Sequence, residues 1–304
     1  MKFWSVHCRF GSSRRGSGLL IVQKAPAKLN LGLQILGKRP DGFHNLVSIF
    51  QTINLFDQLH FDAASTGQTL FTCSDPSLPS SSDNLVCRAV EVLRRATGIE
   101  KGIRIHLEKH IPSGAGLGGG SSDAATTLLA LNRIWEAKLT LEDLRELGLT
   151  LGSDVPFFLK KGTAVVHGRG EHLRYIPWHA KSVYVLVAPT FEVSTGWAYA
   201  NYKKTLTEKG GYATFLNSVN PDEIDISELL RHLDNDFLPL VLQTHPEVAQ
   251  ILNSFKKHGA MAASLSGSGS TLYGIFEDPG SAHEAFHAFL KSEYRVFMCH
   301  PILS

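Results

Sequence analysis

Nowhere does the chain hold the roughly 20 consecutive apolar residues that crossing a bilayer requires, so no membrane helix is expected. Cysteine is scarce: Cys8, Cys73, Cys87 and Cys299 are scattered, with no C-x-x-C pair. That argues against a zinc site or a disulfide framework and for a reducing compartment. Charge of neither sign dominates, because 30 Lys and Arg against 28 Asp and Glu leave a formal net charge of +2. No broad polyanion-binding surface is implied, and RNA or DNA binding is disfavoured. There is no internal repeat. A chain of 304 residues with 43% hydrophobic content can bury a large core and is long enough for two domains.

The first twenty residues lack acid altogether. Lys2, Arg9, Arg14 and Arg15 stand among Ser5, Ser12, Ser13 and Ser17. A basic, serine-containing lead of this kind reads either as a short organelle transit peptide or, more plainly, as a disordered extension or an upstream start-codon choice. It has no continuous apolar core of a secretory signal. The expected location is the cytoplasm, or a plastid or other organelle if residues 1–20 are a transit peptide.

Against these absences stands one concentrated feature. From Pro112 to Asp123 the chain holds five glycines, with Ser121 and Ser122 leading into a helical pattern. A helix start leaves its first N–H groups without intrahelical partners and carries partial positive charge, so an anion fits there. Glycines let the backbone come close and adopt the positive φ angles that turn successive N–H groups toward one point. Upstream, Ile103 to Glu108 alternate apolar and polar and predict a strand. Downstream, Ala125, Leu128, Leu129, Asn132 and Trp135 predict a helix, with Ser121, Ser122 and Asp123 as its cap. The order strand, glycine loop, helix is that of a phosphate-holding element rather than of a flexible linker.

Two familiar phosphate motifs are excluded. Gly114-x-Gly116-x-x-Gly119 fits a dinucleotide fingerprint, which needs a second strand ending in an acidic residue about 20 positions on; here the chain is still helical. Gly32-x-x-x-x-Gly37-Lys38 imitates a Walker A loop but is followed by Arg39 where a Ser or Thr would reach magnesium.

Two further clusters are ambiguous taken singly. In Ala25-Pro26-Ala27-Lys28-Leu29-Asn30-Leu31 a lysine interrupts an apolar, strand-like run, and Lys28 is either a functional cation or an edge-strand charge. In Gly152-Ser153-Asp154-Val155-Pro156 a single carboxylate sits between a helix end and apolar residues, and Asp154 is either functional or an ordinary turn residue.

Taken together, the Pro26-Ala27-Lys28-Leu29-Asn30 segment, the Pro112-x-x-x-Gly116-Leu117-Gly118-Gly119-Gly120-Ser121-Ser122 loop and the glycine-containing Ser264 to Ser270 resemble the GHMP kinases, ATP-dependent small-molecule kinases, over roughly residues 24 to 276. Arg39-Pro40-Asp41-Gly42-Phe43-His44 and Gly152 to Pro156 bring the chain nearest to those members that phosphorylate a cytidyl-diphosphate-linked methylerythritol in the non-mevalonate route to isoprenoids. The resemblance implies an α+β, two-domain GHMP kinase fold: a ribosomal protein S5 domain 2-like ATP-binding half over residues 21–178 and a ferredoxin-like half over residues 179–304. A monomer or homodimer is expected.

The resemblance also implies roles. Asp154 takes the proton from the acceptor hydroxyl, and Lys28 lies beside it, where an ammonium favours the carboxylate and stabilises the attacking oxygen. Asn30 binds the same acceptor region. Pro112, Ser113, Gly114, Ala115, Gly116, Leu117, Gly118, Gly119, Gly120, Ser121 and Ser122 wrap the triphosphate of ATP. Mg2+ arrives with ATP, near Ser121 or Ser122. His44 takes the cytosine edge, Phe43 offers a stacking face where a tyrosine is common, Lys109 faces the base or the diphosphate, and Tyr199 is either the opposite stacking face or core filling. Mevalonate or homoserine kinases and diphosphomevalonate decarboxylases share the loop but have no need of the Phe43, His44 and Lys109 cluster; a non-catalytic nucleotide sensor would have no need of Asp154.

Later in the chain, residues 205–224 are rich in Thr, Lys, Glu, Gly and Asn and read as a surface connection. Beyond it the pattern predicts a helix over 246–257, strands near 260–265 and 272–276, a helix over 282–290 and a strand near 294–299, an antiparallel sheet with helices on one side. The Gly267 to Ser270 turn reads equally as a tight hairpin or as a cover for the ATP phosphates.

Overall fold

Two long strands, β1 (Ile21–Lys38) and β2 (His44–Ala64), form a hairpin at the centre of the computed structural model, which describes residues 20–178, 181–202, 211–218, 220 and 224–303. The pairing slips between Pro26 and Ala27 and again between Asn30 and Leu33. A bulge shifts the side-chain alternation by one position. Ala25 therefore packs with the helices on one side of the hairpin, whereas Ala27, Leu29 and Leu31 pack against the second sheet. Lys28 and Asn30 point the other way, toward the cavity described below.

The first sheet runs in the order β3 (Thr69–Cys73), β4 (Gly102–Glu108), β2, β5 (Thr163–Gly168), β6 (His172–Ile176), with β1 paired to β2; only β3 and β4 are parallel. Helices α1 (Leu85–Thr97), α2 (Gly119–Ile134), α3 (Leu141–Leu151) and the short α4 (Val155–Phe158) cover one face. Their apolar stripes meet the alternate residues Ile103, Ile105 and Leu107 of β4, with Val90, Leu93, Ala125 and Leu128 in the same core. Side chains cap α1 and α3: Asn84 accepts from the Val86 N–H, and Thr140 with Asp143 forms a capping box.

Four strands make the second sheet, antiparallel in the order β10 (Arg295–Cys299), β7 (Val183–Ala188), β9 (Leu272–Phe276), β8 (Ala262–Leu265). Along β7 the side chains divide two ways. Val183, Val185 and Val187 pack with α9 (Glu247–Lys257) and α10 (Pro279–Phe289), while Tyr184 and Leu186 face the first sheet with Leu29, Leu31 and Ile49. The layers are helix, sheet, sheet, helix. The strands and helices expected after residue 246 are all present, each within a few residues of its expected limits. Between β7 and α9 lie α5 (Thr195–Asn201), α6 (Gly211–Ser218), α7 (Ile226–His232) and α8 (Leu238–Thr244). Among the described residues no helix is long and apolar enough to cross a membrane. Cys73, Cys87 and Cys299 are free; Cys8 and the rest of the extension to residue 19 lie outside the described residues.

Two expectations are corrected. Part of the supposed surface connection is α6, and Tyr212, Phe215 and Leu216 on it are buried against β1 and α7. Its polar flanks concealed an apolar i, i+3, i+4 stripe. Residues 203–210, 219 and 221–223 of that segment lie outside the described residues. The cap of α2 is not Ser121 to Asp123 but Gly118, at φ 69°, and the three polar residues belong to the first turns of the helix. Contacts on the glycine loop override the local preference for a hydroxyl cap.

Gly32 sits in the second bulge at φ 82°, and an added Cβ would stand 2.6 Å from the Tyr212 ring. The ring is pinned by its hydroxyl, which donates to the Leu31 carbonyl. Gly32→Ala is expected to lower stability by about 1–3 kcal/mol, read as a lower urea midpoint. An unchanged midpoint would mean that Tyr212 can turn aside at no cost.

Candidate active site

Lys28 is only 4% exposed, yet its ammonium faces a cavity of about 950 Å³ between the two halves of the molecule. Its Nζ lies 3.5 Å from Oδ2 of Asp154, donates to Oδ1 of Asn30 and stands 4.4 Å from the centre of the Phe50 ring. Burial lowers its pKa below the ordinary lysine value, and the Asp154 charge partly offsets this. Asp154 occupies the cap position of α4 without making a cap hydrogen bond, so its carboxylate, about a third exposed, is left to Lys28 and the cavity. Although β1 pairs with β2 alone, Lys28 is buried and turned to Asp154, so it is not the solvent-facing charge that blocks an edge. Asn30 is held from several sides: its Nδ2 donates to the Ser48 hydroxyl at 3.0 Å, its N–H to the Ser266 hydroxyl at 3.2 Å, and its carbonyl accepts from Tyr273 at 2.9 Å.

The glycine loop crosses directly above this pair. The Lys28 N–H donates to the Leu117 carbonyl at 2.9 Å, which ties β1 to the loop. A Cβ on Gly118 would come within 2.8 Å of the Phe158 ring, and one on Gly116 within 2.1 Å of the Ser266 carbonyl oxygen. Both glycines have positive φ. A Cβ on Gly114 would meet open space, and one on Gly120 only an ordinary contact with Leu85 at 3.5 Å. The turn between β8 and β9 closes the loop's flank: the Ser266 hydroxyl donates to the Gly116 carbonyl at 2.9 Å, and the Thr271 N–H donates to the Ala115 carbonyl at 3.2 Å. This turn is thus a hairpin, packed on the glycine loop, with Gly267 and Ser268 on the cavity wall.

Of the predicted loop residues, Pro112 to Gly116 and Gly118 to Ser121 line the cavity. Leu117 points into the core between the sheets, and Ser122 is fully buried with an unpartnered hydroxyl. On the opposite wall, His44 stacks on Tyr199 with ring centres 5.1 Å apart, and Tyr199 meets Phe237 edge-on at 4.9 Å. Phe43 is half exposed, with the Arg169 guanidinium 5.0 Å above its ring. Arg169 also lines the cavity and went unnoticed in the sequence, where Gly168-Arg169-Gly170-Glu171 reads as an ordinary turn.

Lys109 lines the cavity too, but its ammonium is engaged by two buried carboxylates, Asp57 and, at 3.1 Å, Asp123. Burial draws its pKa down, and the two carboxylates more than compensate, so the net shift is upward. Sequence reasoning missed Asp57 and took Asp123 for a cap. A lone polar residue in a strand gives no signal of a partner some fifty positions away.

Known proteins share the sequence pattern and the fold. The family model described as GHMP kinases N terminal domain matches residues 84–162, and that described as GHMP kinases C terminal matches residues 219–296. The chain is 40% identical over 286 residues to 4-diphosphocytidyl-2-C-methyl-D-erythritol kinase of Prosthecochloris aestuarii, covering 91% of this chain and 96% of the relative. Among solved structures it resembles a 4-(cytidine 5'-diphospho)-2C-methyl-D-erythritol kinase, with a TM-score of 0.70 and 32% identity over 92% of this chain and 99% of that one. Homoserine kinase from Cytophaga hutchinsonii has a TM-score of 0.75 at 19% identity, covering all of this chain and 98% of the other, a likeness of fold alone.

Burial pushes the Asp123 carboxyl up to about 7, with Lys109 opposing and Asp57 reinforcing the rise. A carboxyl whose pKa is raised by folding gives its stabilising contribution below the unfolded value and loses it as pH climbs through the folded one. The stability of the wild type relative to Asp123→Asn should therefore fall as pH rises from about 4 to about 7, measured by urea unfolding across that range. A difference independent of pH would show that Asp123 keeps an ordinary carboxyl.

Proposed function

The chain belongs to the GHMP kinases, in the family of 4-diphosphocytidyl-2-C-methyl-D-erythritol kinases, and from that premise we propose that it transfers the terminal phosphoryl group of ATP to the 2-hydroxyl of 4-diphosphocytidyl-2-C-methyl-D-erythritol, a step of isoprenoid biosynthesis. One observation supports this above the others: the Lys28 and Asp154 pair faces a single cavity whose ceiling is the glycine loop and whose far wall carries His44, Phe43 and Arg169. A donor of phosphate and an acceptor bearing a base and a diphosphate would meet over that pair.

The residues divide the work. The backbone of the glycine loop and the start of α2 would hold the triphosphate, since Gly118 gives α2 no side-chain cap and Gly119, Gly120 and Ser121 of its first turn line the cavity. Asp154 would accept the proton of the acceptor hydroxyl, while Lys28 offsets the charge growing on that oxygen. Low-dielectric surroundings strengthen the ammonium's effect there. Asn30 fixes the ammonium through its own three further hydrogen bonds. Among the described residues no group of three or more His, Cys, Asp or Glu is placed to hold a metal. The magnesium accompanying ATP, which supplies charge neutralisation, would take its ligands from phosphate and water, with Ser121, which lines the cavity, rather than the buried Ser122 as the candidate hydroxyl at the end of the loop.

On the acceptor side, Phe43 offers an open ring face for the cytosine and Arg169 a cation for the diphosphate. His44 and Tyr199 contact each other, so they act as one stacked wall rather than as two sides of a slot. The reading carries with it a cytoplasmic location.

Purified protein incubated with Mg-ATP and 4-diphosphocytidyl-2-C-methyl-D-erythritol, with mevalonate and homoserine in parallel, is expected to release ADP and form a phosphorylated product only with the cytidyl acceptor. Turnover of one of the others would reject the acceptor assignment and keep the Lys28 and Asp154 centre; ATP binding without turnover of any acceptor would favour a sensor. With the preferred acceptor, Asp154→Asn is expected to lower kcat by about 100-fold or more while the dissociation constants of both substrates stay within about threefold. Near-wild-type turnover would remove Asp154 from the role of base.

A further inference from the structure

Five glycines leave the phosphate loop little but Leu117 with which to anchor itself, so its shape depends largely on what grips it from outside. The middle is gripped by β1 and by the turn between β8 and β9, as described. Its two ends converge on one buried cluster. Asp57, on β2 and fully buried, accepts the N–H groups of His110 and Ile111 on Oδ1, at 2.6 and 2.8 Å, and the Lys109 ammonium on Oδ2. Residues 109–111 are the chain's entry into the loop. The same ammonium donates at 3.1 Å to Oδ2 of Asp123, in the second turn of α2 where the chain leaves the loop. All three side chains are at most 5% exposed. The ammonium also stands 2.8 Å from the point a Cβ of Gly119 would occupy, directly behind the first residue of α2.

We infer that Asp57, Lys109 and Asp123 form a clip that holds the entry and exit of the glycine loop at a fixed separation, which makes Lys109 and Asp57 positioning residues for ATP. Coulombic attraction in a buried site, with directional hydrogen bonds at both carboxylates, fixes distance more sharply than apolar packing of the same volume. Removing the ammonium takes away the group that bridges the two acids, one of which then takes up a proton, and the tie between the ends is lost. Asp57 is absent from the cavity wall while Lys109 is on it. The clip therefore differs in its consequences from a lysine that binds substrate directly. The inference rests on the reading that this loop holds ATP.

The test compares Asp57→Asn, Lys109→Met and their double variant by direct binding of Mg-ATP and of the cytidyl acceptor, and by hydrogen exchange of residues 112–120 in the ligand-free protein. Asp57→Asn is nearly isosteric and keeps the Lys109–Asp123 pair, so it serves where Lys109→Met fails to fold. Each single variant is expected to weaken ATP binding by about tenfold and the double variant by no more than the worse single one, because both break one device. Acceptor affinity should stay within about twofold, and loop exchange should quicken in all three. An Asp57→Asn protein with wild-type ATP affinity and loop exchange would overturn the clip, as would losses that add or that fall equally on both substrates. Failure of the wild type to bind ATP would instead overturn the reading of the loop, while loop exchange in the ligand-free variants would still decide the clip.

Discussion

The close approach of three backbone segments at the glycine loop is the constraint on which the rest depends. The Leu117 carbonyl accepts from the N–H of Lys28 on β1, Gly116 lies against the Ser266 carbonyl of the turn between β8 and β9, and Gly118 lies under the ring of Phe158 on α4. Ser266 and Gly116 belong to different sheets' connections, so this contact joins the two halves. A backbone carbonyl cannot swing aside as the tip of a side chain can. The requirement for glycine at 116 is therefore architectural, whatever the loop holds: the missing side chain is what lets the halves meet.

Two lysines border the cavity under opposite conditions, and their surroundings assign them different work. Lys28 is buried with a single, partly exposed carboxylate, and burial prevails over attraction in setting its pKa. Such a cation keeps unspent attraction for a further anionic oxygen. Lys109 is held by two buried carboxylates, and attraction prevails. Its charge is already satisfied inside the protein. Residue type and position beside the loop do not distinguish the two; the number of carboxylates within reach does.

Much of the site was legible because its residues violate their local patterns. Lysine within the apolar run of β1, five glycines between a strand and a helix, and a lone acid between Ser153 and the apolar α4 each ask for a reason that a fold alone does not supply. Residues that obey their patterns stayed hidden. Asp57 looks like any polar position of a half-buried strand, Arg169 like a turn residue, and Asp123 like a helix cap. The helix start was placed too late for a related reason: glycine is a poor helix former, so a local rule waits for serine, whereas contacts between the loop and its neighbours hold Gly119 and Gly120 in helical form. Burial of α6 depends on β1, some 180 residues earlier, and no window along the chain contains both.

The fold itself does not choose the acceptor, since a homoserine kinase shares it as closely as does a kinase acting on a cytidyl substrate. Selectivity has to reside in what is built on the frame. Here the cavity wall facing the Lys28–Asp154 pair, which we propose takes the acceptor, is assembled from the tip of the β1–β2 hairpin, the turn between β5 and β6, and α5. Arg39 links the first two, lying 3.0 Å from Asp41 and 3.5 Å from Glu171, and Glu171 accepts the Arg169 N–H at 2.6 Å. The Arg39–Asp41 pair is open enough to water to be individually weak, whereas Glu171 is largely buried. None of these contacts includes Lys28, Asp154 or the glycine loop. The Lys28–Asp154 pair is anchored by strand pairing and buried backbone contacts, and the facing wall by the His44, Tyr199 and Phe237 stack together with the polar contacts of Arg39 and Glu171. On the function proposed above, a change of acceptor can proceed by altering that wall while the Lys28–Asp154 pair stays in place.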